Sequence, residues 1–174
     1  MANSNDIAYE TYKIHCCLEY GLLSQCAARW NGPIIKNMKD LIELLHNGEY
    51  SLVVANGEVS TFSGHGVNDL YYLLNEDPGF LHGASVADKV VGKAAAALMV
   101  LTGVREVYAD IISHPALDLL RKNNISVSYG KKIPNITNRA QTDWCPLELR
   151  CREPETPEEC LMQIETFMKI IKID

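Results

Sequence analysis

The sequence predicts an α/β protein, with a mixed sheet that opens on an N-terminal β-hairpin and carries helices on both faces. Three observations lead there. Residues 83–103 form a run that is apolar around most of a helical circumference, which only burial in a layered fold explains. Asn56-Gly57 separates two short β-prone runs and is the strongest two-residue hairpin signal. Beyond that run, strand-like and helix-like segments alternate, the order that yields a mainly parallel sheet.

Residues 7–30 read as a helix, with Ile14, Leu18, Leu22, Cys26 and Trp30 on one stripe, broken by Asn31-Gly32-Pro33. A second helix starts at Asn37, has Asp40 at its third position, carries Met38, Leu41, Ile42 and Leu45, and stops at Gly48. The hairpin strands fall at 51–55 and 58–62. Ser63-Gly64-His65-Gly66 then leads into a short helix bearing Val67, Leu70, Tyr71 and Leu74.

The central helix is expected over 83–103. Ser85 is its N-cap, Asp88 completes a capping-box-like pattern, and Gly103 is the stop. Val86, Val90, Ala94 and Leu98 recur at four-residue steps, with Val91 alongside, and burial is expected for all five. Residues 106–112 read as a strand, Ser113 as the N-cap of the next helix, and 125–129 as a further strand. Residues 131–139 are extended but ambiguous because of Pro134. Trp144-Cys145-Pro146 opens another helix, and Thr156-Pro157-Glu158-Glu159 is a capping box before the last one.

The totals narrow the function classes. A net charge of −6 argues against nucleic-acid polymers, which want a basic surface. No apolar run reaches spanning length without charge, so no membrane partner is expected. The opening MANSNDIAYE has no secretory pattern, so the setting expected is cytoplasmic. The six cysteines are then reduced thiols, and none of their spacings is C-x-x-C. Neither a metal nor a cofactor is expected, and a homo-oligomer stays open.

The element order is similar to the cytidine deaminase fold. From Met38 onward the chain resembles the small prokaryotic family catalogued as domain of unknown function 1893. The stretches that carry this are GEYSLVVANGEV, GASVADKVVGKAAAALMVLTGV, VYADIISHPALDLL, Pro134-Asn135-Ile136-Thr137-Asn138-Arg139 and WCPLE. The resemblance implies a cytidine deaminase-like three-layer α-β-α sandwich, with 1–36 as a helical extension and 37–174 as the single domain. It brings no settled activity. Active deaminases use H-x-E and P-C-x-x-C to hold a zinc ion that activates water. Both motifs are missing here, so zinc-dependent deamination is not expected.

The remaining chemistry is expected where helices start beyond the carboxyl ends of the strands. Cys145, at an N-cap ahead of Pro146, is the nucleophile candidate because a helix field favours thiolate. Asp88 is a candidate base, and Lys89 a candidate charge beside it. Ser85, Lys93, Ser113, Asn138, Arg139 and Glu148 are the candidate ligand-binding residues. A capping role for Asp88 and an inert, buried role for Cys145 are the plain alternatives. His65 and His82 suit a site or a turn equally well, His114 reads as a first-turn surface residue, and Trp144 reads as a ring that stacks on a planar base or as a cap on a core edge. The function expected is binding of a small anionic or nucleotide-like ligand, with Cys145 as nucleophile. The alternative is a non-catalytic regulatory or interaction domain with a degenerate deaminase pocket.

Overall fold

The computed structural model describes residues 28–32, 34–64, 67–138 and 140–171. Its sheet has the order β1-β3-β2-β4-β5-β6. β2 (Leu52–Asn56) and β3 (Glu58–Phe62) form the expected hairpin, and Gly57 supplies the positive φ of +76° at the turn. A two-residue strand, β1 (Ala28–Arg29), pairs with β3 at one edge. β2 also pairs antiparallel with β4 (Ser85–Val91). β4, β5 (Glu106–Ser113) and β6 (Ser126–Ile133) then run parallel.

The helices are α1 (Met38–Asn47), α2 (Asn68–Glu76), α3 (Lys93–Leu101), α4 (His114–Lys122), α5 (Pro146–Arg150) and α6 (Pro157–Ile171). Helices cover both faces. On one, Leu41, Leu44 and Leu45 of α1 pack on Val53 and Ala87. On the other, α2, α3, α4 and α6 share the larger core with Leu52, Val54, Val86, Val107 and Ile112. Alternate residues of β2 thus face opposite layers, as a two-sided strand requires.

Local capping explains several starts. The Asn37 side chain accepts from the Asp40 N–H at 3.2 Å, and Asp40 Oδ2 accepts from the Lys36 N–H at 2.8 Å. At α6, Thr156 Oγ1 accepts from the Glu159 N–H at 3.2 Å while Glu159 Oε2 accepts from the Thr156 N–H at 3.3 Å. Ser113 caps α4, its Oγ accepting from the Ala116 N–H at 3.3 Å.

The main correction concerns 83–103. Only Lys93–Leu101 is helix, and Ser85–Val91 is the strand β4. Ser85 is therefore not an N-cap, and Asp88 is not part of a capping box. An inner parallel strand is apolar on both faces, so its run carries no two-residue alternation to set it apart from a buried helix. The β-branched Val86, Val90 and Val91 favour the strand, and Gly92 ends it. Ala94–Met99 are buried as expected, along with Val91, whereas Val90 is 43% exposed.

Two further boundaries move. Residues 28–29 are strand rather than the end of a helix, held where the Trp30 N–H donates to Val59 O at 2.8 Å. The sheet thus reaches back before the expected domain start at 37, and the rest of the expected 7–30 helix lies outside the described residues. β6 runs on to Ile133, because its register with β5 continues to Ser113↔Ile133 before Pro134 removes a ladder donor.

Candidate functional site

The pairings bring three helix starts to one end of the sheet. Leu52 pairs with both Phe62 and Asp88, so β3 and β4 finish at the same pole, where β5 also ends. The chain leaves those three strands into α2, α3 and α4 respectively. Each start presents free N–H groups and partial positive charge.

At α3 the cap is Gly92, and the Lys93 N–H donates to Glu148 Oε2 at 2.7 Å. Glu148 arrives from α5 and is 3% exposed, and its other oxygen, Oε1, is buried without a hydrogen-bond partner among the described residues. A Cβ on residue 92 would stand 2.7 Å from Glu148 Oε2 and 3.2 Å from Ile136 Cγ1, so a larger residue there would push the Glu148 carboxylate aside. The Lys93 ammonium turns to the 152–154 backbone, donating to Arg152 O at 3.0 Å and Pro154 O at 2.5 Å.

At α2 the polar group is Asp69, 2% exposed, whose Oδ1 likewise lacks a partner among the described residues. Burial pushes its carboxyl up to about 6 against the opposing hydrogen bond from the Gly64 N–H. Asp88, 8% exposed, accepts from the Val90 N–H at 2.9 Å. Burial raises its carboxyl to about 7, the Val90 N–H opposes this, and the negative charges of Asp69 and Asp110 push it further up. Asp69 is a site residue the sequence reading missed. An acid in a first helical turn behind a Gly-rich loop reads as an ordinary capping charge, and nothing local signals its burial.

Among the expected site residues, the structure brings Lys93 and Glu148 together and sets Asp88 beside Asp69. Ser113 lies at the same pole but is fully buried and occupied as the α4 cap. Lys89 is a half-buried strand residue whose N–H donates to Ser51 O at 3.0 Å. It is not one helical turn from Lys93, because the two belong to different elements. Ser85 sits at the far end of β4, about 20 Å from Val91 at a strand's rise per residue. There its Oγ donates to Glu106 Oε1 at 2.5 Å and accepts from Arg105 Nη2 at 2.7 Å.

Asn138 clasps its own loop, Oδ1 accepting from the Thr142 N–H at 3.0 Å. Arg139 and His65 lie outside the described residues, as do Cys16, Cys17 and Cys26. His82 is at the opposite pole, against Gly103. Cys145 is the half-buried N-cap of α5, with Pro146 in the first turn. That helix has only 5 residues, so the helix field expected to favour a thiolate is slight.

Beside this acidic interior lies an outer cleft of about 470 Å³, bordered by Lys93, His114, Asp118, Lys122, Arg152 and Glu153. It runs along α4, from His114 in the first turn to Lys122 at the end. The Arg152 guanidinium is steadied 5.4 Å above the Trp144 ring. Lys122, Asp118 and Arg152 are cleft residues the sequence reading did not single out. Lys122 ends a helix and Arg152 looked like linker, so only the tertiary fold makes them neighbours. Among the described residues no group of three or more His, Cys, Asp or Glu side chains could hold a metal ion. Nor is any described helix long and apolar enough to cross a membrane.

Fold and site together define an α/β protein with a mixed sheet, helices on both faces, and its polar groups gathered at one sheet end. Residues 40–168 match the family described as "TM1506: Domain of unknown function (DUF1893)", and the chain belongs to that family. A crystal structure of a DUF1893 family protein (TM1506) from Thermotoga maritima is similar, at 27% identity and a TM-score of 0.69. The match covers 80% of this chain and 95% of that one. No curated protein matches the chain.

Proposed function

We propose that the chain binds a small anionic, nucleotide-like ligand in the cleft that runs along α4. The observation that carries the reading is the cleft itself. Its volume of about 470 Å³ suits a small metabolite, and it faces a strand's carboxyl end. Arg152, Lys122 and His114 border it, along the outer face of the Ser113-capped helix. The fold reading that accompanies this is the cytidine deaminase-like sandwich, supported by the hairpin followed by helix starts that meet at one pole. The setting proposed is the cytoplasm. Cys145 remains the candidate nucleophile of the proposal, half-buried where Cys151 and Cys160 are buried.

Binding without turnover is the reading favoured when the cleft alone is considered, since Cys145 is not among the residues that border it. The test is native mass spectrometry of protein purified from cells, followed by thermal shift with nucleoside monophosphates. A carried anionic ligand, or a rise in Tm abolished by Arg152→Ala with Lys122→Ala, is the expected result. No carried mass and no shift with any nucleotide at millimolar concentration overturns it. Cys145→Ser separates the roles: it should leave the Tm rise intact and remove any turnover.

A further inference from the structure

Cys151 and Cys160 flank the 152–159 connection, one at the end of α5 and the other in the first turns of α6, and both are fully buried. Cys151 Sγ lies 4.0 Å from the Cys160 carbonyl oxygen, to which its S–H donates. The connection between them is the segment that Lys93 Nζ grips through Arg152 O and Pro154 O, and it supplies Arg152, Glu153, Pro154 and Glu155 to the cleft wall.

We infer that Cys151 and Cys160 form a thiol–disulfide pair, oxidised by hydrogen peroxide to a disulfide that closes the connection and pins that wall. In the first step the Cys160 thiolate attacks a peroxide oxygen. The O–O bond breaks, hydroxide leaves and takes up a proton as water, and Cys160 becomes a sulfenic acid. In the second step the Cys151 sulfur attacks that sulfenic sulfur. An S–S bond forms, the S–O bond breaks, and the departing hydroxide leaves as water with the Cys151 proton. Cys160 is the attacking sulfur because the neighbouring Cys151 side chain and the charge of Lys93 draw its thiol down. The Cys160 side chain, together with burial, pushes Cys151 up. Burial of both sulfurs makes the reaction wait on local opening of the connection.

The full chain treated with hydrogen peroxide tests this. A non-reducing digest should contain a Cys151–Cys160 linked peptide, two hydrogens lighter than its reduced halves. Hydrogen exchange across 152–159 should slow, and dithiothreitol should restore it. In Cys151→Ser, dimedone should trap the sulfenic acid at Cys160, while Cys160→Ser should give no adduct at Cys151. Cys151 and Cys160 remaining thiols after Cys145 is fully oxidised overturns the inference. So does linkage of either to Cys16, Cys17, Cys26 or Cys145.

Discussion

The two ends of β4 solve opposite problems. At the Ser85 end the polar side chains of Ser85, Arg105 and Glu106 partner one another, with hydrogen bonds of 2.5 to 2.7 Å close to solvent. There the Ser85 hydroxyl and the Arg105 guanidinium hold the Glu106 carboxyl below its ordinary range. At the Val91 end, Asp69 and Glu148 each keep one buried oxygen without a partner among the described residues, and burial holds Asp69 and Asp88 above theirs. A satisfied cluster contributes to the fold, whereas unpartnered buried oxygens cost free energy the fold would avoid if stability alone mattered. The contrast supports the carboxyl pole as the functional end proposed above.

The sharpest way to break that contrast is Gly92→Ala. The added Cβ would stand 2.7 Å from Glu148 Oε2, an atom already held by the Lys93 N–H. Glu148 must then leave the α3 terminus, and its place in the core is tight. A loss of about 2–3 kcal/mol is expected from overpacking with loss of the cap, measured by urea unfolding. An unchanged midpoint would mean that Glu148 is not fixed where the structure has it.

The next effect in size is a pH dependence. Asp88 titrates near 7 and Asp69 near 6 in the fold, against about 4 in the unfolded chain. Between those limits the folded state binds more protons than the unfolded one. The contribution of these two groups to stability is therefore greatest below pH 4, falls as pH rises through 6 and 7, and levels off above. Asp88→Asn should flatten much of that slope and raise stability at pH 8 by about 1–2 kcal/mol, read from unfolding curves across the pH range. A slope of the opposite sign, or destabilisation at pH 8, would show that Asp88 is ionised and stabilised where it lies.

How much of this was legible follows from which patterns are local. The α1 cap at Asn37, the Asn56-Gly57 turn, the Ser113 cap and the Thr156–Glu159 box each need only neighbouring residues, and each reads directly. Ser85–Val91 did not, because a strand buried on both faces offers no alternation, and Val86-Ala87 followed by Val90-Val91 imitates a helical stripe. The site suffered more than the fold. Lys93 and Glu148 were both singled out, but their contact spans the 55 residues between them, and only the path of α5 makes it. Asp69 and Arg152 carry the ordinary look of a cap and a linker. Their burial and neighbours are tertiary facts.

The smallest expected effect lies at the satisfied end and serves as the control. Ser85→Ala removes a hydroxyl that both donates to Glu106 and accepts from Arg105, at a position close enough to solvent for water to replace part of the network. Arg105 and Glu106 keep their own contact at 2.7 Å, so no charge is stranded. The loss should be about 1 kcal/mol or less. Its pH signature should be opposite to that of Asp88. Glu106 contributes stability above its unfolded value, and that contribution is lost as pH falls through its lowered folded value. Removing Ser85 should thus narrow the acid-side loss and leave the slope between pH 4 and 7 untouched. Thermal unfolding of Ser85→Ala beside Asp88→Asn, each from pH 3 to 8, would show it. If Ser85→Ala instead abolished the neutral-pH slope, the two ends of β4 would be coupled, and the division between a structural pole and a functional one would fail.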